Sequence, residues 1–144
     1  MKQSGFTLIE LLVTVALIAI IATVGIPNFQ SLVSSNRYTA DYNEILTHFH
    51  YARSEAIKRR EDISLTLTGA GGDWSVTVSD GDGSIRSTAG GKGQAQVTPG
   101  GSVTFNALGR RGACDFNDDC TVTVAVSGRS GVIAIKPTGR IDQP

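Results

Sequence analysis

Apolar residues run from Phe6 to Ile26 with no helical or strand period, and in those 21 positions the only ionisable side chain is Glu10. About 20 consecutive apolar residues suffice for a helix to span the hydrocarbon core of a bilayer. The run is longer than the apolar core of a cleaved secretory signal, and Gly25, Pro27 and a helical pattern follow it with no small-x-small site between. It is therefore predicted to remain attached. Lys2 precedes it, so the positive-inside tendency keeps the N-terminus cytoplasmic and sends the rest across to an oxidising compartment. Gly25 and Pro27 are expected to kink or locally open the helix where the purely apolar part ends.

After Pro27 the pattern changes. Tyr38, Tyr42, Ile45, Phe49, Ala52 and Ala56, widened by Leu46 and Ile57, recur at spacings of three and four. This predicts an amphipathic helix over about 29–61 whose other face carries Arg37, Asp41, Glu44, Arg53 and Glu55. The basic run Lys58-Arg59-Arg60 suits a helix C-terminus, where cations meet the negative end of the dipole. From residue 62 the period becomes two. Ile63, Leu65 and Leu67 alternate with Ser64, Thr66 and Thr68, then Trp74, Val76 and Val78 with Ser75, Thr77 and Ser79. These read as half-buried strands joined by a hairpin whose spacer, Gly69 to Asp73, predicts a loop of more than two residues. Further strands are expected at Val103 to Phe105, Thr121 to Val126 and Val132 to Ile135, and a mobile, glycine-rich exposed loop from Thr88 to Gly100. A long helix followed by five to seven short strands defines an α+β chain whose antiparallel sheet packs on the C-terminal half of the helix.

Composition changes this picture little. The 144 residues hold 13 basic and 13 acidic side chains, so the whole chain carries no bias toward nucleic acid or membrane, although residues 85–144 are mildly positive, with seven basic against four acidic. Cys114 and Cys120 read as one disulfide across a short polar loop in a translocated protein. Nothing resembles a nucleophile elbow, a phosphate-binding glycine loop or a paired CxxC motif, so no enzyme and no cofactor are expected. Asp115-Phe116-Asn117-Asp118-Asp119 starts like a calcium loop. However, Cys120 stands at the sixth place and Val126 where a bidentate glutamate belongs, so no metal site is expected. His48 and His50 are two apart and cannot share a metal on a helix.

The carboxylate in the apolar run is the informative anomaly. Placing it there costs about 2.5–3.5 kcal/mol on insertion scales, so a partner must offset it. Gly5-Phe6-Thr7-Leu8-Ile9-Glu10 resembles the N-terminal signature of type IV pilins and type II secretion pseudopilins. The resemblance implies a leader of residues 1–5, cleavage by a prepilin peptidase between Gly5 and Phe6, N-methylation of Phe6, and Glu10 meeting the terminal amine of a neighbouring subunit during assembly. It also implies a membrane and filament-core helix at 6–28 and a soluble pilin head at 29–144, its β-rich part at about 62–144. Tyr51-Ala52-Arg53-Ser54-Glu55-Ala56, Lys58-Arg59, the Trp74 strand, Phe105-Asn106-Ala107-Leu108-Gly109 and Gly139-Arg140 are similar to the FimT/FimU and H-type pseudopilin group.

That group implies a minor subunit in the bacterial inner membrane and then in a pilus, priming or capping assembly among major and minor pilins. Two other roles stay open: a DNA receptor for natural transformation, and a minor pseudopilin of type II secretion. Double-stranded DNA would be held through phosphates by Arg110, Arg111, Arg129, Lys136 and Arg140, arginines on glycine-flexed loops. The Gly-Arg-x-Arg motif of DNA-binding members falls on Gly139, Arg140, Ile141 and Asp142, so the second arginine is here an aspartate.

Overall fold

A computed structural model describes residues 6–92 and 94–143, so the expected leader, with Gly5, lies outside the described residues. The chain divides into two compact units, the first ending at Ser34 and the second beginning at Ser35. One helix, α1 (Leu8–Arg59), runs through both.

In the first unit α1 is apolar on every side. Its large apolar residues from Phe6 to Leu32 are all exposed, from 51% at Val13 to 85% at Phe6. The hydroxyls of Thr14 and Thr23 donate to the carbonyls of Leu11 and Ile20 at 2.8 and 2.7 Å, so the polar atoms of this stretch are satisfied within the helix. Pro27 lies inside α1 without interrupting it, which corrects the expectation of an opened helix at this point. The stretch is long and apolar enough to cross a bilayer.

In the second unit α1 packs on two antiparallel sheets. The first has the order β3-β2-β1-β5-β6, from β1 (Ile63–Ala70), β2 (Asp73–Ser79), β3 (Ser84–Gly90), β5 (Gly101–Phe105) and β6 (Arg111–Cys114). The second has the order β4-β7-β8-β9, from β4 (Ala95–Thr98), β7 (Thr121–Val126), β8 (Arg129–Ile135) and β9 (Ile141–Asp142). Among the described residues nine strands replace the expected five to seven, and two sheets replace one. The predicted apolar stripe builds the core: Ile45, Phe49, Ala52 and Ala56 are fully buried with Ile63, Leu65, Leu67, Val76, Val78, Val103, Phe105, Val122, Val124, Ile133 and Ile135. Two polar ties fasten the helix to the sheets. Tyr42 Oη donates to the Val132 carbonyl at 2.9 Å, and Trp74 Nε1 to Asp41 at 3.0 Å.

Several local expectations change. The β1–β2 connection is a two-residue turn at Gly71-Gly72, both at positive φ, and the strands extend through Ala70 and Asp73. The Thr88–Gly100 stretch is not one long exposed loop, because β3 runs into it as far as Gly90 and β4 places Ala95 and Val97 in the core. Ile57 stays 48% exposed, whereas Glu55, expected on the solvent face, is buried. Glu55 accepts from Arg59 Nε at 2.8 Å and Lys58 Nζ at 3.3 Å, and Arg59 also reaches Asp80 at 2.9 Å. The Arg59 guanidinium holds the Glu55 carboxyl below the usual carboxylate range. His48 is also buried.

The disulfide Cys114–Cys120 joins the end of β6 to the residue before β7, with Cα atoms 6.0 Å apart. It is short in sequence yet fastens one sheet to the other, and its loop is not wholly solvated. Phe116 turns inward, buried, with its ring edge-on to Phe49 at 6.0 Å between centroids.

Candidate functional site

At the N-terminus, Thr7 and Glu10 satisfy one another. Thr7 N–H donates to the Glu10 carboxylate at 3.3 Å and Thr7 Oγ1 donates to the same oxygen at 3.2 Å, while Glu10 N–H donates to Thr7 Oγ1 at 3.3 Å. This is a capping box, in which a helix-start hydroxyl and a glutamate three residues on cover otherwise orphaned amides. The T-x-x-E spacing ahead of an apolar run was visible in the sequence, and reading Glu10 only as an anomalous charge missed it. Glu10 therefore sits exposed at the positive end of the helix dipole, with Phe6 exposed beside it.

In the second unit, against Arg53 and Ile57 of α1, the sequence's most specific later motifs meet. Asn106 N–H donates to the Arg110 carbonyl at 3.0 Å and Gly109 N–H to the Asn106 carbonyl at 2.7 Å. Lys136, Gly139 and Arg140 repeat the pattern, with Lys136 N–H to the Arg140 carbonyl and Gly139 N–H to the Lys136 carbonyl, both at 2.8 Å. Each turn closes on a glycine at positive φ, 70° at Gly109 and 80° at Gly139. The two turns stack so closely that a Cβ on Gly139 would lie 1.8 Å from the Gly109 oxygen and 3.1 Å from the Arg110 Cα. Arg53 on α1 donates through Nε to that same Gly109 carbonyl at 3.0 Å, and Ile57 packs against Gly109. Helix motif, first glycine turn and terminal Gly-Arg are thus one packed corner.

This corner gathers part of the expected basic set and leaves part behind. Arg110, Lys136 and Arg140 are exposed on the stacked turns. Arg111 is half-buried and donates to the Ile135 carbonyl at 2.7 Å, a structural use of its charge. Arg129 does not join them. It opens β8 beside the Ser127-Gly128 turn, whereas Lys136 follows the other end of that strand, about 20 Å away at roughly 3.3 Å per residue. Arg140 is held by Asp142 through two contacts, at 2.7 and 2.8 Å, a two-pronged pair that neutralises it. The aspartate in the Gly-Arg-x-Arg position therefore engages its neighbouring arginine.

Around the disulfide, Asn117 closes the loop with Thr121, its Oδ1 accepting from Thr121 N–H at 2.9 Å, and Asp115 accepts from Ser102 Oγ at 2.7 Å. Among the described residues no group of histidine, cysteine, aspartate or glutamate side chains could hold a metal ion.

A capped helix with an unpartnered apolar half, leading into a helix-on-sheet head, defines a pilin-type filament subunit. Residues 41–139 match the family described as Type II transport protein GspH, and residues 1–26 match the prokaryotic N-terminal methylation motif; the chain belongs to the GspH family of minor pilins and pseudopilins. It is a structural subunit and not an enzyme. Two Pseudomonas aeruginosa proteins, each named "Fimbrial protein", are 30% identical over 134 residues, which is 93% of this chain and 74% of theirs. The fold is similar to that of the type IV minor pilin FimU of Pseudomonas aeruginosa, with a TM-score of 0.58 at 21% identity over 78% of this chain and 92% of that one. A second crystal form of FimU gives a TM-score of 0.54 at 22% identity over 74% and 91%.

Proposed function

We propose that the chain is a minor type IV pilin that primes or caps a pilus at or near its tip. Residues 1–5 serve as a leader removed by a prepilin peptidase between Gly5 and Phe6, and Phe6 becomes the N-methylated terminus. Residues 6–28 lie in the inner membrane before assembly, with the N-terminus cytoplasmic and the 29–144 head periplasmic. The observation that carries this reading is the exposure of every large apolar side chain from Phe6 to Leu32 around a carboxylate. Such a surface is stable only in lipid or against other apolar helices, and the cost of the charge falls when another subunit supplies a cation. Major and minor pilins are the partners that present both.

Changing Glu10 to alanine tests it. The variant is expected to insert normally and to be lost from sheared filaments; normal incorporation would refute the assembly role. N-terminal sequencing of the filament-borne chain is expected to begin at N-methylated Phe6. The same surface suits a type II secretion pseudopilus, and which filament carries the protein in its native cell decides between them.

A second reading is supported by the stacking of Arg110 and Arg140 on adjoining turns: a phosphate-contacting corner that binds double-stranded DNA during uptake. Because Asp142 engages Arg140, affinity is expected to rise when Asp142 is changed to alanine and to fall steeply with salt. If the Asp142 change leaves binding unaltered, Arg140 is not a phosphate ligand.

A further inference from the structure

Among the described residues the two sheets have four edges, and three of them are short or covered. β9 is two residues long, with the Arg140–Asp142 pair across it. β6 is four residues long and ends in the disulfide. β4 is covered by the β1–β2 hairpin: Ala95 N–H donates to the Gly72 carbonyl at 2.9 Å, and a Cβ on Gly69 would lie 2.8 Å from the Val97 oxygen. Among the described edge strands β3 alone is long and uncovered. Its seven residues, Ser-Ile-Arg-Ser-Thr-Ala-Gly, include no proline, and its one charge, Arg86, is folded over the Tyr51 ring at 5.2 Å, away from the edge. Folded proteins protect such edges with charges, prolines, bulges or short strands; β3 has only an irregularity at its start, where its register against β2 shifts between Val78 and Ser79, and from Arg86 to Gly90 it is regular and unprotected.

The direction of its free groups follows from the turn geometry. The Gly71-Gly72 turn makes Ala70 and Asp73 a hydrogen-bonded pair. Strict alternation then points the backbone of Trp74, Val76 and Val78 at β3. In β3, Gly90, Thr88 and Arg86 answer them, which leaves the amides and carbonyls of Ser87 and Ala89 directed to the open side. Beside this edge runs a cleft of about 320 Å³ between β3 and α1, lined by Arg37, Asp41, Glu44, Ala89, Gly90 and Lys92. Asp41 is engaged with Trp74 and Arg37 with Gln94, whereas Glu44 and Lys92 make no ion pair among the described residues.

We propose that this cleft is a strand-addition site: an extended strand of a neighbouring pilin-type subunit pairs with Ser87 and Ala89 and sends alternate side chains against α1. Only an extended backbone offers donors and acceptors at the spacing of a sheet edge. The incoming strand carries a basic side chain where it passes Glu44 and an acidic one where it passes Lys92. The inference rests on the filament-subunit reading above.

The test uses the full chain in filament-forming cells, with the photocrosslinking residue p-benzoylphenylalanine placed at Ser87 or, on the short β6 edge, at Ala113. After irradiation, peptide mapping is expected to join position 87 to a β-strand of another pilin-type subunit, about fivefold or more above position 113. Changing Ala89 to proline removes an outward donor while sparing the β2–β3 ladder, and it is expected to cut incorporation about tenfold with membrane insertion and the disulfide intact. Ala89→Lys is the second variant, with the same expected direction should the proline change fold poorly. Glu44→Lys is expected to lower incorporation about threefold by charge reversal. Equal crosslinking at 87 and 113, a product joined to anything but a strand of another subunit, or full incorporation of both Ala89 variants would overturn the proposal. The two readings fail separately: if Glu10→Ala is lost from filaments while the Ala89 variants enter them, only the strand-addition site falls.

Discussion

The two parts of α1 share one continuous backbone and obey opposite rules. Before Ser35 the large apolar side chains are exposed all around the helix; after it Ile45, Phe49, Ala52 and Ala56 are completely buried and the exposed positions are mostly polar. Hydrophobic burial is the dominant favourable contribution to folding, so a helix that buries nothing inside its own chain takes that stabilisation from its surroundings. The second part is specified by this chain's own sheets, and the first, on the function proposed above, by lipid and other subunits. Substitutions in the first part should therefore change assembly with little effect on head stability, and core substitutions in the second should do the reverse.

Phe49→Ala gives the largest expected effect. Its ring is fully buried and meets Phe116, so truncation should cost about 3–5 kcal/mol of head stability, read by denaturant unfolding of the full chain in detergent. Leu17→Ala, 55% exposed, should leave the same midpoint unmoved. A comparable loss from both would break the comparison.

Gly139→Ala follows. A methyl group there meets the Gly109 oxygen at 1.8 Å and forces an L residue to φ 80°, which together should cost about 2–4 kcal/mol. The effect should appear as a lowered midpoint, with Arg53→Ala producing a smaller loss of about 1 kcal/mol because it removes one hydrogen bond to the same carbonyl. Replacing Cys114 and Cys120 with alanine should cost about 2 kcal/mol, the value for a short closed loop.

The sequence made the helix, its stripe and the strongly alternating strands legible because burial imposes its period on the residues themselves. β3 was not legible: Ser-Ile-Arg-Ser-Thr-Ala-Gly has no alternating apolar face, since an edge strand with one open side buries little. β4 hid among glycines because only Ala95 and Val97 of its four residues enter the core. The site was legible in part. Glu10 stood out by its charge, but its pairing with Thr7 was overlooked although the spacing was present. The basic residues were grouped by type, and only the strand directions reveal that Arg129 and Arg140 belong to opposite ends of β8. Gly139 looked like a flexible support for Arg140, whereas its lack of a side chain is required by the turn packed beneath it.

The smallest expected effect concerns His48, which lies three residues after Ile45 and four before Ala52 and is buried with them. Its Nδ1 has no hydrogen-bond partner among the described residues, and burial lowers its pKa, assisted by the positive charge of Arg86 and opposed by Glu44. A histidine whose pKa is lower folded than unfolded binds more protons in the unfolded chain. Its contribution to stability is complete above the unfolded value of about 6.5 and is lost as pH falls through the folded value. Glu55 has the same sign in a more acid window, since its depressed pKa withdraws stability only below the ordinary range near 4.5. The denaturation midpoint of the wild-type chain should therefore fall between pH 7 and pH 5, and His48→Gln should flatten the curve there while leaving the more acid loss in place. Arg86→Gln should weaken the dependence by removing the repelling charge, and Glu44→Gln should strengthen it by removing the attracting one. A wild-type midpoint that stays constant across that interval would mean that water reaches His48, and that the β3 side of the head is more open than the buried imidazole implies.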